Sequence, residues 1–390
     1  MSHTSEALPL ATFKNRLTQL QAWARANSLD AVVVFGHGSA LGTATRSHGN
    51  LRYLLDWDGD AAFSAAVIPC EGSPRMVVSN IFGTLRGRES GLMSEVQFAK
   101  GPAFAETILR WLPKSDRIAI AGKGEMPLAI WSVLATAGAS NWIDCDGIIA
   151  EARKIKDADQ IYFHRKAAAA CDEIFEQLPR ALASGKPVFA IQADLESFGR
   201  QLGCDHCRTW LTVMPRADRC RYVASENLMI PAKGDQVLLG IMLTVQGHWG
   251  HAIRTGTLGA PTSQALETYS MVREMFDAMV HELRPGADLR VVGQHGIAPA
   301  NDHNSIFQFR SGHALGYSYE EPVGSAEFPQ PYDAGAGSTT PSTVAPGMLF
   351  EIHPNVFIEG VGGASIGDMV LVTETGNEIL TTTNRDLLSF

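Results

Sequence analysis

Apolar positions along the chain follow one rhythm up to about residue 150 and another beyond it. From Leu8 to Asn27 they recur at helical spacing, with Phe13, Leu17, Leu20 and Trp23 on one stripe, which predicts an amphipathic helix. Short apolar or β-branched runs then appear at Ala31–Phe35, Ala66–Ile68, Met76–Val78 and Ile118–Ala121. Strand and helix patterns in alternation predict an α/β domain with a mostly parallel or mixed sheet.

Past residue 150 a charged stretch leads into a long alanine-rich helix that Gly185-Lys186-Pro187 closes, with Asp157 or Asp159 placed to cap it. The domain boundary is set just before that helix, giving domains 1–154 and 155–390. Longer strands follow, Gln236–Val245 and Trp249–Thr257, on either side of a hairpin-like Gln246-Gly247-His248 turn. A helix from Ser263 to about Leu283 stops at Arg284-Pro285-Gly286, and Met348–His353 and Met369–Thr373 read as strands. This order predicts an α+β domain built on a curved antiparallel sheet.

Bulk properties narrow the partners. A chain of 390 residues, 45% hydrophobic and 19% charged, suits two domains with sizeable cores. A net charge of -9 argues against nucleic acid or an anionic membrane surface as the main partner. The N-terminal stretch has no signal-peptide pattern, and no run reaches the roughly 18 apolar residues of a membrane span. Six cysteines in a chain this long do not make a disulfide scaffold. A cytoplasmic protein acting on a small molecule is expected.

Several stretches, in order, are distinctive: RKIKDADQI, KGDQVLLGIMLTVQGHWGHAIRT, RPGADL, SGHALGYSYEEP, APGMLFEIHP and IGDMVLVTETG, with NLRYLLDW in the first half. They resemble the creatinase/aminopeptidase P/prolidase superfamily, whose C-terminal domain has the pita-bread fold. The resemblance implies a creatinase-like N-terminal domain, a pita-bread catalytic domain and a homodimer. It also implies two divalent metals held by an Asp, a second Asp eleven residues on, a His and two Glu. Those positions fall here on Gly240, His251, His313, His353 and Gly367, so only the histidine is kept. A dimetal aminopeptidase site is therefore not expected. His251, His313 and His353 instead suggest a mononuclear site for one divalent metal, Zn, Fe or Mn.

Glu351, two residues before His353 on a strand-like stretch, faces the same side and reads as a fourth ligand, a general base or half of a buried salt bridge with Arg254. Glu320, where the family's peptidases carry a histidine, and Glu321 beside it are further catalytic candidates. Arg221 and Tyr222 lie where creatinase carries its catalytic histidine, near Arg216 and Arg219. With Arg254 and Asp58 they are the substrate-binding candidates. Cys204-Asp205-His206-Cys207 has partial zinc-like spacing, with packing as the default. The leading expectation is a non-peptidase hydrolase cleaving a C–N or related bond in a small polar metabolite. A lyase, decarboxylase or oxygen-using metalloenzyme, and a metal-free binding protein, are the alternatives.

Overall fold

In the N-terminal part, alternate residues of a continuous apolar strand serve two different cores. The computed structural model describes residues 7–42, 46–114, 117–218, 227–297, 306–307, 309–328 and 342–390. It divides into one unit of residues 1–153 with 317–321, and a second of residues 154–316 with 322–390. The first unit holds a six-stranded mixed sheet in the order β4-β3-β2-β1-β5-β6. Its strands are β1 Ala31–His37, β2 Phe63–Pro69, β3 Arg75–Val78, β4 Glu95–Phe98, β5 Ile118–Ala121 and β6 Ile143–Asp144. Val32 and Val34 pack with Phe13, Leu17 and Leu20 of the first helix. Ala31, Val33 and Phe35 pack on the other side with Phe104, Ile108 and Ile130. Helices on both faces explain why these strands read as unbroken apolar runs.

Two candidate catalytic residues, Glu320 and Glu321, belong to this unit. Arg153 is wholly buried and donates to Asn50 Oδ1 at 2.6 Å, Ser318 Oγ at 2.7 Å and Glu321 at 2.8 Å. Glu321 also accepts from Ser318 N. Its carboxylate is the counter-ion of a buried arginine, which corrects its assignment as a catalytic group.

In the second unit, β7 His206–Met214, β8 Gln236–Val245 and β9 His248–Thr257 form an antiparallel sheet, with β17 Leu388–Ser389 parallel to β9. Gln246 and Gly247, both at positive φ, make the two-residue turn between β8 and β9. One face of the sheet (Leu211, Leu239, Ile241, Ala252) packs on the alanine-rich helix Ala158–Leu182 and its neighbour Val188–Gln201. The long helix begins with a capping box between Asp157 and Gln160. A Cβ at Gly250 would come within 2.8 Å of Ala167, so small residues on both partners bring helix and strand together. A second sheet, β11 Gly312–Ala314, β12 Leu349–Ile352, β15 Asp368–Val372 and β16 Asn377–Ile379, and a third, β10 Ile306–Phe307, β13 Asn355–Ile358 and β14 Gly362–Ser365, complete the unit. The helix Ser263–Glu282 packs its Val272, Phe276 and Met279 into their core. This is the α/β-then-pita-bread architecture. Among the described residues no helix is long and apolar enough to cross a membrane.

One backbone bridge joins the first sheet to the second: Ile253 and Gly367 exchange N–H···O bonds of 3.0 and 2.9 Å. Arg254 locks that bridge from the helix side. All five of its N–H donors are committed, to Asn384 O, Ile253 O, Gly367 O, Asp368 Oδ1 and Thr383 O at 2.7–2.9 Å. Asp368 Oδ2 takes a further bond of 2.6 Å from Arg385. Arg254 is thus a positioning residue and not the substrate ligand expected from the sequence. Strand alternation puts it on the face opposite His251.

Two outcomes follow. Arg254→Ala leaves Asp368 half-compensated in a dry site and should lower stability by about 3–5 kcal/mol in urea titration, and Arg254→Lys should not restore it. A loss under about 1 kcal/mol would contradict this role. In the first unit, burial and the nearby Arg52 and Arg153, against the opposing pull of Asp58, hold His48 down from 6.5 to about 4. The unfolded chain binds that proton at higher pH, so stability is complete above pH 6.5 and falls as the pH drops towards 4. The loss is on the order of 3 kcal/mol. The urea midpoint of His48→Asn should fall less steeply over that window than that of the parent; parallel slopes would refute it.

Candidate metal centre

The strand parity that turns Arg254 to the helices turns His251 and Ile253 the other way, onto a face shared with Trp210, Gly240 and Met242. Across the bridge, β11 and β12 pair His313 directly with Glu351, and Glu351 with Met369 of β15. His353 follows the end of β12, its N–H bonded to Ser311 O at 2.8 Å. Four polar side chains meet on this one face, at 2% (His251), 2% (His313), 0% (Glu351) and 4% (His353) exposure.

Donor atoms of His251, His313 and Glu351 all lie within 4.8 Å of one another, the one such group of three or more among the described residues. His251 Nδ1 lies against Glu351 Oε2, and His313 Nε2 is 3.9 Å from the same oxygen. His313 Nδ1 faces its neighbour's carbonyl, Ala314 O, at 3.3 Å, which turns Nε2 towards the carboxylate. The His353 imidazole stands just outside, its centroid 5.2 Å from that of His313 and 5.7 Å from that of His251. Burial, with the charges His353 and His313 would carry, holds His251 well below the usual histidine range. Burial, with His313, does the same for His353. Both are neutral imidazoles near pH 7, the form that ligates metals.

Glu351 Oε1 and both ring nitrogens of His353 are buried without a hydrogen-bond partner among the described residues. Such groups are costly in a dry interior unless something else engages them. Two imidazoles and a carboxylate converging on one spot fit a first-row divalent metal.

Gly240 and Gly367, expected from the resemblance at ligand positions, have their side-chain space occupied by other residues. A Cβ at Gly367 would fall on Glu351 Oε1, and one at Gly240 would fall on the Trp210 indole. The Glu351 carboxylate thus occupies the volume that a side chain at position 367 would take. Trp210, the register partner of Gly240, fills the space that a side chain at 240 would take. Trp210 and Phe309, whose ring is 5.6 Å from that of His353, are neighbours of the site that the sequence reading missed. A glycine inside an otherwise large-residue strand was the available signal.

The remaining candidates are placed elsewhere. Asp58, in the first unit, accepts from Ser39 N at 2.9 Å and Asp60 N at 2.8 Å and shapes its own turn. Glu320 is half-buried in the 317–321 segment of that unit. Arg221, Tyr222 and Arg219 lie outside the described residues, whereas Arg216 is described and exposed. Cys204 and Cys207 pack in the helix–sheet core, and burial pushes their thiols up to about 11 and about 12, so they are inert thiols.

Residues 163–374 match metallopeptidase family M24, and residues 16–155 match the creatinase/prolidase N-terminal domain. The probable dipeptidase PepE of Mycobacterium tuberculosis is 25% identical over 391 aligned positions, covering 93% of this chain and 95% of its own. The uncharacterized peptidase YqhT of Bacillus subtilis is 26% identical, over 60% of this chain and 64% of its own length. Among solved structures, dipeptidase PepE from Mycobacterium ulcerans superposes with TM-score 0.78 at 21% identity, covering 98% of this chain and 99% of its own. The prolidase from Pyrococcus horikoshii gives 0.79 at 20%, covering 96% and 100%. These relatives are named as peptidases and dipeptidases, which overturns the expectation of a non-peptidase hydrolase. The chain belongs to metallopeptidase family M24, with a creatinase/prolidase-type N-terminal domain.

Proposed function

We propose that the chain is a metal-dependent hydrolase that cleaves the amide C–N bond of a dipeptide-sized substrate at a one-ion centre. His251, His313 and Glu351 would hold the ion and His353 would face the substrate. The observation that carries this reading is the buried cluster of two imidazoles and a carboxylate, with Gly240 and Gly367 cleared for Trp210 and Glu351. Membership of family M24, and relatives named dipeptidases, support peptide hydrolysis as the reaction class. A divalent ion held there supplies Lewis-acid polarisation of the scissile carbonyl. His353, with no hydrogen bond fixing either ring nitrogen among the described residues, would orient the substrate amide. The bridge between Ile253 and Gly367 and the Arg254–Asp368 pair keep the two ligand-bearing sheets in register. The dry surroundings strengthen each of these polar contacts.

Full-length protein should hydrolyse members of a dipeptide panel, lose that activity to a chelator and recover it with a divalent metal. Activity untouched by exhaustive chelation would defeat the proposal. Gly367→Ala presses a methyl group on Glu351 Oε1 and on Ile253 across the bridge, and should weaken metal affinity at least about tenfold by competition with a chromogenic chelator, together with some loss of thermal stability. Unchanged affinity would mean that Glu351 is not a ligand.

A further inference from the structure

We infer that Asn355 is a positioning residue: its side chain, set between two strands, holds His353 outside the ligand group and keeps a place open there for substrate. This rests on the one-ion reading above and adds a device to it. Two short strand pairs flank the site in one common register. β10 and β13 pair Ile306 with Ile358 and Phe307 with Phe357, and β11 and β12 pair Gly312 with Ile352 and His313 with Glu351. The same register sets Ser311 opposite His353 and Phe309 opposite Asn355. His353 N–H donates to Ser311 O at 2.8 Å, as that register requires. Alternate pairs of an antiparallel ladder exchange two backbone bonds, and Phe309 with Asn355 would be the next such pair.

There the side-chain amide takes over from the backbone. Phe309 N–H donates to Asn355 Oδ1 at 2.8 Å, and Asn355 Nδ2 donates to Phe309 O at 3.0 Å. Nδ2 also donates to His353 O at 3.1 Å and to Arg310 O at 3.4 Å. A buried amide placed where two backbones would meet wedges the strands apart beside His353. Pro354, which has no N–H, cannot close the ladder between them. Its carbonyl instead accepts from Ser365 Oγ of β14 at 3.0 Å. Two residues apart on a regular strand, Glu351 and His353 would face the same side. Only Glu351 joins His251 and His313, and the His353 ring lies against Phe309, centroids 5.6 Å apart. A third imidazole in that group would complete a closed, four-ligand centre, whereas three ligands leave the open position that a reacting substrate needs. The Asn355 wedge separates the two arrangements.

The test uses full-length protein loaded with zinc or cobalt(II). Chelator competition reads zinc affinity, and hyperfine-shifted imidazole N–H signals of the cobalt(II) form count the histidine ligands. The parent should show two such signals. Asn355→Gly removes the wedge and should admit His353, giving a third signal, zinc bound at least about tenfold more tightly and loss of dipeptide turnover. In Asn355→Gly with His353→Ala the third signal and the gain in affinity should both vanish. Asn355→Ser, whose hydroxyl can still accept from Phe309 N–H, should move the same way by a smaller factor and serves if the glycine variant does not fold. Two signals with unchanged or weaker zinc binding in these variants is what a packing role alone would give, and it would overturn the assignment; so would a third signal in the parent. A parent that takes up no metal, or shows no shifted imidazole signal when loaded, would overturn the one-ion reading itself and this inference with it.

Discussion

A carboxylate buried among imidazoles is the constraint around which the C-terminal unit is arranged. Glu351 has no exposure, and an ionised group so placed costs several kcal/mol unless opposite charge or strong hydrogen bonds compensate it. Its Oε1 has no hydrogen-bond partner among the described residues, and Oε2 meets only histidines that burial keeps neutral in the case of His251. A divalent cation would answer both problems together, since it would neutralise the carboxylate and engage imidazole lone pairs. Gly367 and Gly240 are then consequences: one leaves room for the carboxylate, the other for an indole that closes the neighbouring volume.

Strand alternation divides the labour. On the inner face of β9, His251 supplies a donor and Ile253 packs with Trp210 and Phe357. On the outer face, Arg254 commits every donor to Asp368 and to backbone carbonyls of the bridge and the C-terminal segment. A site assembled from β9, β11 and the end of β12 depends on the alignment of two sheets, and the bridge between Ile253 and Gly367 fixes that alignment. The carboxylate at 368 and the glycine at 367 therefore serve opposite sides of the same two residues, one electrostatic and one spatial.

Much of this was legible from the chain. Helical spacing gave the helix at Leu10–Ala26, the long β8–β9 hairpin gave the central sheet, and Asp157 was correctly among the cap candidates. His251, His313 and Glu351 do converge, whereas His353, expected as the third imidazole ligand, stands outside that group. What the chain did not disclose depended on register and distant pairing. Trp210 meets Gly240 only because the β7–β8 register aligns them across a long intervening segment. Glu321 meets Arg153 across 168 positions, so its loss to a buried ion pair could not be read locally. Arg254 is the exception, because its three-residue offset from His251 already placed it on the opposite strand face. The rejection of peptidase chemistry failed for another reason: altered ligand positions rule out one metal arrangement, and they do not by themselves rule out a reaction class.

The central claim is that one ion is held by two imidazoles and Glu351. The most direct measurement is anomalous diffraction from crystals of protein purified without added metal, recorded on both sides of the absorption edge of the element found in it. The account predicts a single peak about 2 Å from donor atoms of His251, His313 and Glu351. Two peaks, a peak elsewhere in the chain, or none after reconstitution with divalent metal would contradict it.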